Sequence, residues 1–168
     1  QAHIPHRTLR PATPITGNLQ SAARTVRYAL LEDWRQERKI DWIMTAHHAD
    51  DQLETLMMRL NRGSGVGGLA SIRGRNGTII RPLLHWRRAE LAHIVNALAL
   101  PHVTDPSNSD PHFDRVAIRQ NLANADWIDP LAAARSASAL DEAEYALDWT
   151  VRTLARDHIF PSDNATLT

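Results

Sequence analysis

Cysteine is absent from the 168 residues. That removes thiolate nucleophiles, iron–sulfur clusters, thiolate zinc sites and disulfides together, and it fits a reducing compartment. Lysine is nearly absent too, since of the 19 basic residues only Lys39 is a lysine. Arginine suits bidentate contacts to phosphate or carboxylate, although arginine-rich genome composition accounts for the bias equally well. An excess of one charge is also missing: 19 basic residues balance 19 acidic ones, so the chain as a whole does not attract nucleic acid electrostatically. No apolar run approaches the roughly 20 residues that span a bilayer, and the first residues carry no signal-peptide pattern. The expected setting is the cytoplasm, with no membrane partner. Gln1 is followed by residues that read like the middle of a domain, so a fragment is expected. What remains is an ordinary globular composition, 43% hydrophobic and 23% charged, in a length that suits one domain with a small appendage.

Residues 4–10 (IPHRTLR) alternate partly and predict a short strand, and the Pro/Gly-punctuated 11–18 predicts a loop. Leu19, Ala22, Ala23, Val26, Ala29, Leu30 and Trp34 recur at three-and-four spacing, which predicts a helix over about 19–38. The apolar run 41–46 (DWIMTA) suits a buried strand. A helix is predicted over about 49–61, a strand over 78–84 (TIIRPLL) and a helix over about 87–99. Strands alternating with helices predict an α/β fold with a parallel sheet covered on both faces. Beyond Pro101 a turn-rich loop (101–112) is followed by predicted helices at 113–124 and about 130–159. The last has an Ala/Leu stripe that reads as packing or as an interdomain arm. The expected division is 1–125 as the α/β part and 126–168 as a helical arm or linker.

The densest segment is 45–69, TAHHADDQLETLMMRLNRGSGVGGL. In α/β sheets ligands sit beyond the carboxyl ends of strands. A strand ending near Thr45 would therefore deliver His47, His48, Asp50 and Asp51 to that edge as the next helix begins. Helical spacing places Asp50 and Glu54 on one face, with Asp51 one step around. Three carboxylates so close repel unless a cation or hydrogen-bond donors neutralise them. Mg²⁺ bound by Asp50 and Asp51 is one solution. Stabilisation of acidic residues by the dipole of a first helical turn, with His47 or His48 capping or packing, is the other. The glycines of 63–68 satisfy G-x-G-x-x-G, but a helix precedes them, so the dinucleotide fingerprint fails on context. A glycine turn flanked by Arg59, Arg62, Arg73 and Arg75 is a candidate to approach phosphate or RNA backbone, and a plain helix cap with a loop serves equally.

Taken together, the 45–69 block, RPLL at 81–84, DPSN at 105–108, the pair Arg115/Arg119 and the helix QSAARTVRYALLEDW at 20–34 resemble the tRNA(Ile)-lysidine synthetases, a family of PP-loop (N-type) ATP pyrophosphatases. The resemblance runs from about residue 4 to at least 124. It implies a Rossmann-like sheet of the adenine nucleotide alpha hydrolase type, truncated at its N-terminal side and followed by a small helical segment. It also implies a ligase that uses ATP and Mg²⁺ to adenylate C2 of the wobble cytidine in a tRNA(Ile) with a CAU anticodon. Free L-lysine then displaces AMP. On this resemblance Asp51, His47 and Glu54 are the catalytic candidates, and Asp50 and Asp51 the metal ligands. Arg24, Arg27, His48, Arg115 and Arg119 would meet ATP or other phosphates. Arg62, Gly63, Ser64, Gly65, Asp105 and Asn108 would meet RNA or substrate. A homodimer is left open. Two departures stand out. The family's SGGxDS phosphate loop is absent, so the fragment alone is expected to be inactive. RVAIR at 115–119 stands where the family shows RNxIR, which puts part of the RNA or phosphate contact in question. Other readings are a PP-loop tRNA-thiolation enzyme, disfavoured by the lack of cysteine, a metal-dependent hydrolase built on His47, His48, Asp50 and Asp51, and a non-catalytic nucleic-acid-binding fragment, disfavoured by the neutral charge.

Overall fold

The computed structural model describes residues 5–14, 16, 19–103 and 114–158. Its elements run α1 (Leu19–Arg38), β1 (Ile43–Met44), α2 (Ala49–Asn61), α3 (Val66–Leu69), β2 (Arg75–Asn76), β3 (Ile79–Ile80), α4 (Arg88–Ala97), α5 (Asp114–Leu122) and α6 (Pro130–His158). They fall into two compact units, Gln1–Thr45 with Arg75–Ile80, and Ala46–Gly74 with Arg81–Thr168.

The first unit holds the sheet, whose strand order is β1-β3-β2. β1 and β3 are parallel, with Ile43 opposite Ile79 and Met44 opposite Ile80. β2 and β3 are antiparallel through a turn at Gly77, whose φ of 58° suits a residue without a Cβ. The sheet is therefore mixed, and the expectation of a parallel sheet holds only for the β1–β3 pair. The expected strand at 4–10 is not formed over its described part, residues 5–10. Pro5 and Pro11 bracket that segment and Pro5 has no backbone donor to offer a ladder. Instead Leu9 lies with Leu31, Trp34 and Ile40 around an open cavity of about 550 Å³. On α1, Glu32 accepts from Arg35 Nε (2.8 Å), from Arg35 Nη2 (2.7 Å), from Gln36 and from Thr78 Oγ1 (3.1 Å), which ties the helix to the start of β3. The Arg35 bonds lead in holding its carboxyl down at about 2.

The second unit is helical. α6 packs on α2 and α3, and α5 packs on α2. Its core combines alanines with a few aliphatic residues: Ala49 and Leu53 of α2, Ala70, Leu84, Val116 of α5, and Ala133, Ala134 and Ala137 of α6. Alanines at three-and-four spacing let helix backbones approach closely, and the Ala/Leu stripe of α6 is buried only in its first half. Farther along, Leu147, Val151 and Leu154 are exposed, as are Tyr145 and Trp149. No helix among the described residues is long and apolar enough to cross a membrane.

Candidate active site

α2 begins where the sequence changes from an apolar run to His48-Ala-Asp-Asp. His48 is the N-cap in extended conformation (φ −127°, ψ 179°). Its Nδ1 accepts from the Asp51 N–H (3.3 Å), and Asp51 Oδ2 accepts from the His48 N–H (3.0 Å), a reciprocal capping box. Acceptance at Nδ1 places the ring proton on Nε2, which lies 3.5 Å from Asp51 Oδ2. The Ala49 N–H donates to the Trp86 carbonyl (2.9 Å) and the Gln52 N–H to that of His48 (3.1 Å). These donors would otherwise be left without partners in the first turn.

The three carboxylates find donors. Asp50 Oδ2 accepts from the Arg88 N–H (2.7 Å) and so caps α4 from a neighbouring helix. Asp51 Oδ1 accepts from Arg115 Nη2 (2.8 Å). Glu54, with its side chain 5% exposed, accepts from Arg115 Nε (2.6 Å), Arg119 Nε (2.6 Å) and Arg119 Nη2 (3.1 Å). Spacing explains the match, because Asp51 and Glu54 are three apart on α2 and Arg115 and Arg119 four apart on α5, so each pair lies on one helix face. Burial pushes the Glu54 carboxyl up, but the hydrogen bonds from Arg119 and Arg115 outweigh it and hold the group below the usual carboxylate range. The same bond to Glu54 raises Arg119, with Asp51 and Asp50 contributing. Charges balance, two against two, and the Arg115 and Arg119 side chains stay 35% and 30% exposed, so neither is sealed from solvent.

Among the described residues no group of three or more His, Asp or Glu side chains forms a metal site, and Asp50 and Asp51 already accept hydrogen bonds from helix caps and from Arg115, so their side chains alone make no closed metal cage. The hydrolase reading therefore finds no support in the described residues.

The glycine segment has local causes. Gly63 has φ 66°, its N–H donates to the Leu60 carbonyl (3.0 Å), and the Ser64 N–H donates to Arg59 (3.1 Å). That is a Schellman cap closing α2. Val66–Leu69 then forms α3, an element that a run of glycines conceals in the sequence. A Cβ on Gly67 would lie 2.6 Å from Glu144 Oε1, and one on Gly68 would lie 2.7 Å from Ser64 Cβ. Gly63 and Gly65 face open space. Among the other residues singled out, Arg24 and Arg27 are exposed on α1 in the first unit, Arg24 over the Tyr28 ring at 4.9 Å. His47 is half-buried just before the cap, Arg62 is exposed, and Asp105 and Asn108 lie outside the described residues. At the RVAIR departure Val116 is 7% exposed in the helical core, so its apolar character serves packing, while Ala117 is exposed.

Two residues went unnoticed in the sequence. Gln52, 2% exposed, donates from Nε2 to the Ile72 carbonyl (2.9 Å) and accepts at Oε1 from the Ile72 N–H (2.8 Å). Arg81, 8% exposed, donates from Nη1 to the Arg73 carbonyl (2.6 Å). A polar residue between Leu-facing positions of α2 is the only hint of the first, and RPLL gives none of the second.

The alternation of helices and strands together with paired carboxylates met by arginines defines an α/β protein with a charge-balanced polar cluster suited to anionic ligands. The chain belongs to the PP-loop domain family, which matches residues 1–126. It is similar to the tRNA(Ile)-lysidine synthase of Zymomonas mobilis, 41% identical over 158 residues, covering 89% of this chain and 48% of that protein. It is likewise similar to that of Novosphingobium aromaticivorans, 44% identical over 161 residues, 92% of this chain and 49% of that protein. That of Ruegeria pomeroyi is 41% identical over 161 residues, 92% of this chain and 38% of that protein. The chain spans about half the length, or less, of these curated relatives.

Proposed function

We propose that this chain is part of an ATP-dependent ligase that converts the wobble cytidine of a tRNA(Ile) with a CAU anticodon to lysidine. The observation that carries the reading is the similarity, over 89% and 92% of the chain, to proteins named tRNA(Ile)-lysidine synthase. The cytidine O2 attacks the α-phosphorus of ATP and releases pyrophosphate. The ε-amine of free lysine then attacks C2, and AMP leaves with the oxygen. Mg²⁺ enters as part of the MgATP substrate, held mainly by phosphate oxygens.

Within this reading the partly exposed Arg115 and Arg119 meet phosphate or the adenylated base, where preorganised cations stabilise developing charge. Arg24, Arg27 and His48 are further phosphate candidates. The lysine ammonium must lose a proton before attack, and Asp51, with His47 beside it, is the acceptor. Glu54 is a poor base because its carboxyl is held below the usual range, so its role is to orient the two arginines. Arg62, Gly63, Ser64 and Gly65 line the RNA side, with Asp105 and Asn108 in the substrate pocket. Residues 126–168 serve as a helical arm towards a tRNA-binding part, and the protein works in the cytoplasm.

The two half-reactions separate experimentally. With ATP labelled at the α-phosphate and lysine withheld, label should appear on tRNA(Ile) with wild-type protein and, at reduced rate, with Asp51→Asn. Adding lysine should discharge the label with wild type only. No transfer of label by wild type would reject the reaction, and discharge by Asp51→Asn would reject Asp51 as proton acceptor.

A further inference from the structure

Two tryptophans of the second unit are exposed on segments that the fold holds still. Trp86 is 42% exposed and Trp127 is 83% exposed. Trp86 precedes α4 and its backbone is fixed from both sides. Its N–H donates to the Leu83 carbonyl (3.0 Å), and its own carbonyl accepts from Ala49, the first residue of α2 (2.9 Å). The Arg87 N–H donates to Glu90 (2.7 Å) and the Arg88 N–H to Asp50 (2.7 Å). Three consecutive backbone donors, 86–88, are thus all paired. Trp127 lies in the turn before α6, where the Ile128 N–H donates to the Ala125 carbonyl (3.1 Å). Asp129 joins the two segments, because its Oδ1 accepts both from Arg87 Nη2 (2.7 Å) and from the Leu131 N–H that opens α6 (2.9 Å).

An indole buries about 150–250 Å² when it is covered, so two of them left in water on ordered backbone are contact area held for another molecule. Their neighbours narrow its class. Arg87 is paired with Asp129, while Glu90 and Asp50 cap the start of α4. Asp126 is exposed beside Trp127, and the Arg88 guanidinium forms no ion pair among the described residues. The charges of the two segments nearly cancel, so the aromatic faces carry more of the contact than any pull on phosphate. A second copy of the chain fits poorly. The two indoles offer at most about 500 Å² together, against about 800 Å² per partner in a stable interface, and charged residues flank them. An unpaired nucleobase fits well, since every base has a flat apolar face that stacks on an aromatic ring, often beside an arginine.

We propose that Trp86 and Trp127, with Arg88 adjoining Trp86, form a stacking surface for unpaired bases of the RNA substrate, those that flank the reacting cytidine. The proposal rests on the reading given under Proposed function. A base drawn out of a loop for reaction deprives its neighbours of stacking, and an aromatic platform restores it. Trp86 is suited to that task by its attachment, because the bond from Ala49 fixes it to the start of the helix that carries Asp50 and Asp51. A platform ordered before binding also lowers the cost of association.

The test measures the Kd of the full gene product for a stem–loop RNA bearing the CAU anticodon. Trp86→Ala and Trp127→Ala should each weaken binding by roughly 5- to 100-fold, the loss of one base–aromatic stack, whereas the Phe variants should stay within about threefold of wild type. Both side chains are exposed, so thermal melts of the Ala variants should match wild type closely. Abasic sites in place of the two flanking bases should weaken wild type similarly and weaken Trp86→Ala much less, which a merely structural role would not produce. Arg88→Ala should reduce the slope of log Kd against log salt by roughly 0.7, the share of one phosphate contact. Unchanged Kd in both Ala variants, equal losses from Ala and Phe, or equal losses from abasic RNA in every variant would overturn the proposal. So would a wild-type dimer that Trp127→Ala converts to monomer, which would give the surface to a second copy. Absence of lysine transfer by wild type, with aromatic-dependent binding intact, would instead reject the underlying reaction, so the two failures are distinguishable.

Discussion

At the scale of single residues, Glu54 carries the most consequence. Its carboxylate lies buried under two guanidiniums that are only partly exposed. Glu54→Gln keeps the shape, but leaves Arg119 without its counter-charge and Arg115 with Asp51 only. Loss of one partner from a buried pair costs about 3–5 kcal/mol, and solvent reaching the arginines reduces that to about 2–3 kcal/mol, readable as a lower urea midpoint at unchanged slope. The pH dependence follows from a depressed carboxyl. A group lowered in the folded state contributes its stability in full above its ordinary value of 4.5 and loses it as pH falls through the folded value. Wild type should therefore lose stability on acidification below that point, and Glu54→Gln should lose less. The clustered carboxylates were legible in the sequence, while Arg115 and Arg119 came to the site only through the family resemblance, as phosphate contacts. Their pairing was not legible, because nothing in a sequence says whether Asp51 and Glu54 are neutralised by a metal or by Arg115 and Arg119. That choice depends on α5 lying against α2, a long-range contact.

At the scale of elements, apolar periodicity located α1, α2, α4, α5 and α6 to within a few residues, although α4 buries no residue fully. Short elements were lost. α3 hides behind four apolar and glycine letters with little period of their own, and β2 has two residues whose only signal is the Asn-Gly turn. The strand expected at 78–84 shrinks to Ile79–Ile80, because Pro82 cannot donate to a ladder and the backbone turns away after Arg81. The glycines now divide by cause. Gly63→Ala should cost about 1 kcal/mol, because a Cβ at φ 66° is strained. Gly65→Ala should be nearly neutral, since its φ is −74° and nothing lies within 4 Å of the added methyl. Thermal melts of the two variants side by side test this. Equal losses would mean that Gly65 bears a constraint as strict as that of the cap.

At the scale of the whole molecule, the chain combines a small mixed sheet with a helical unit whose α2 carries the carboxylates and whose α5 carries the arginines. Neutral net charge fits a protein that meets anions through a local cluster of ordered arginines, with no broad basic surface. The most direct measurement is ATP-dependent incorporation of labelled lysine into tRNA(Ile) by the full gene product, wild type against Asp51→Ala. The account predicts incorporation that needs both ATP and the CAU anticodon, and a loss of at least about 10²-fold in the variant, as expected when a proton acceptor is removed. Absence of lysine incorporation in wild type, or wild-type rates from Asp51→Ala, would contradict it.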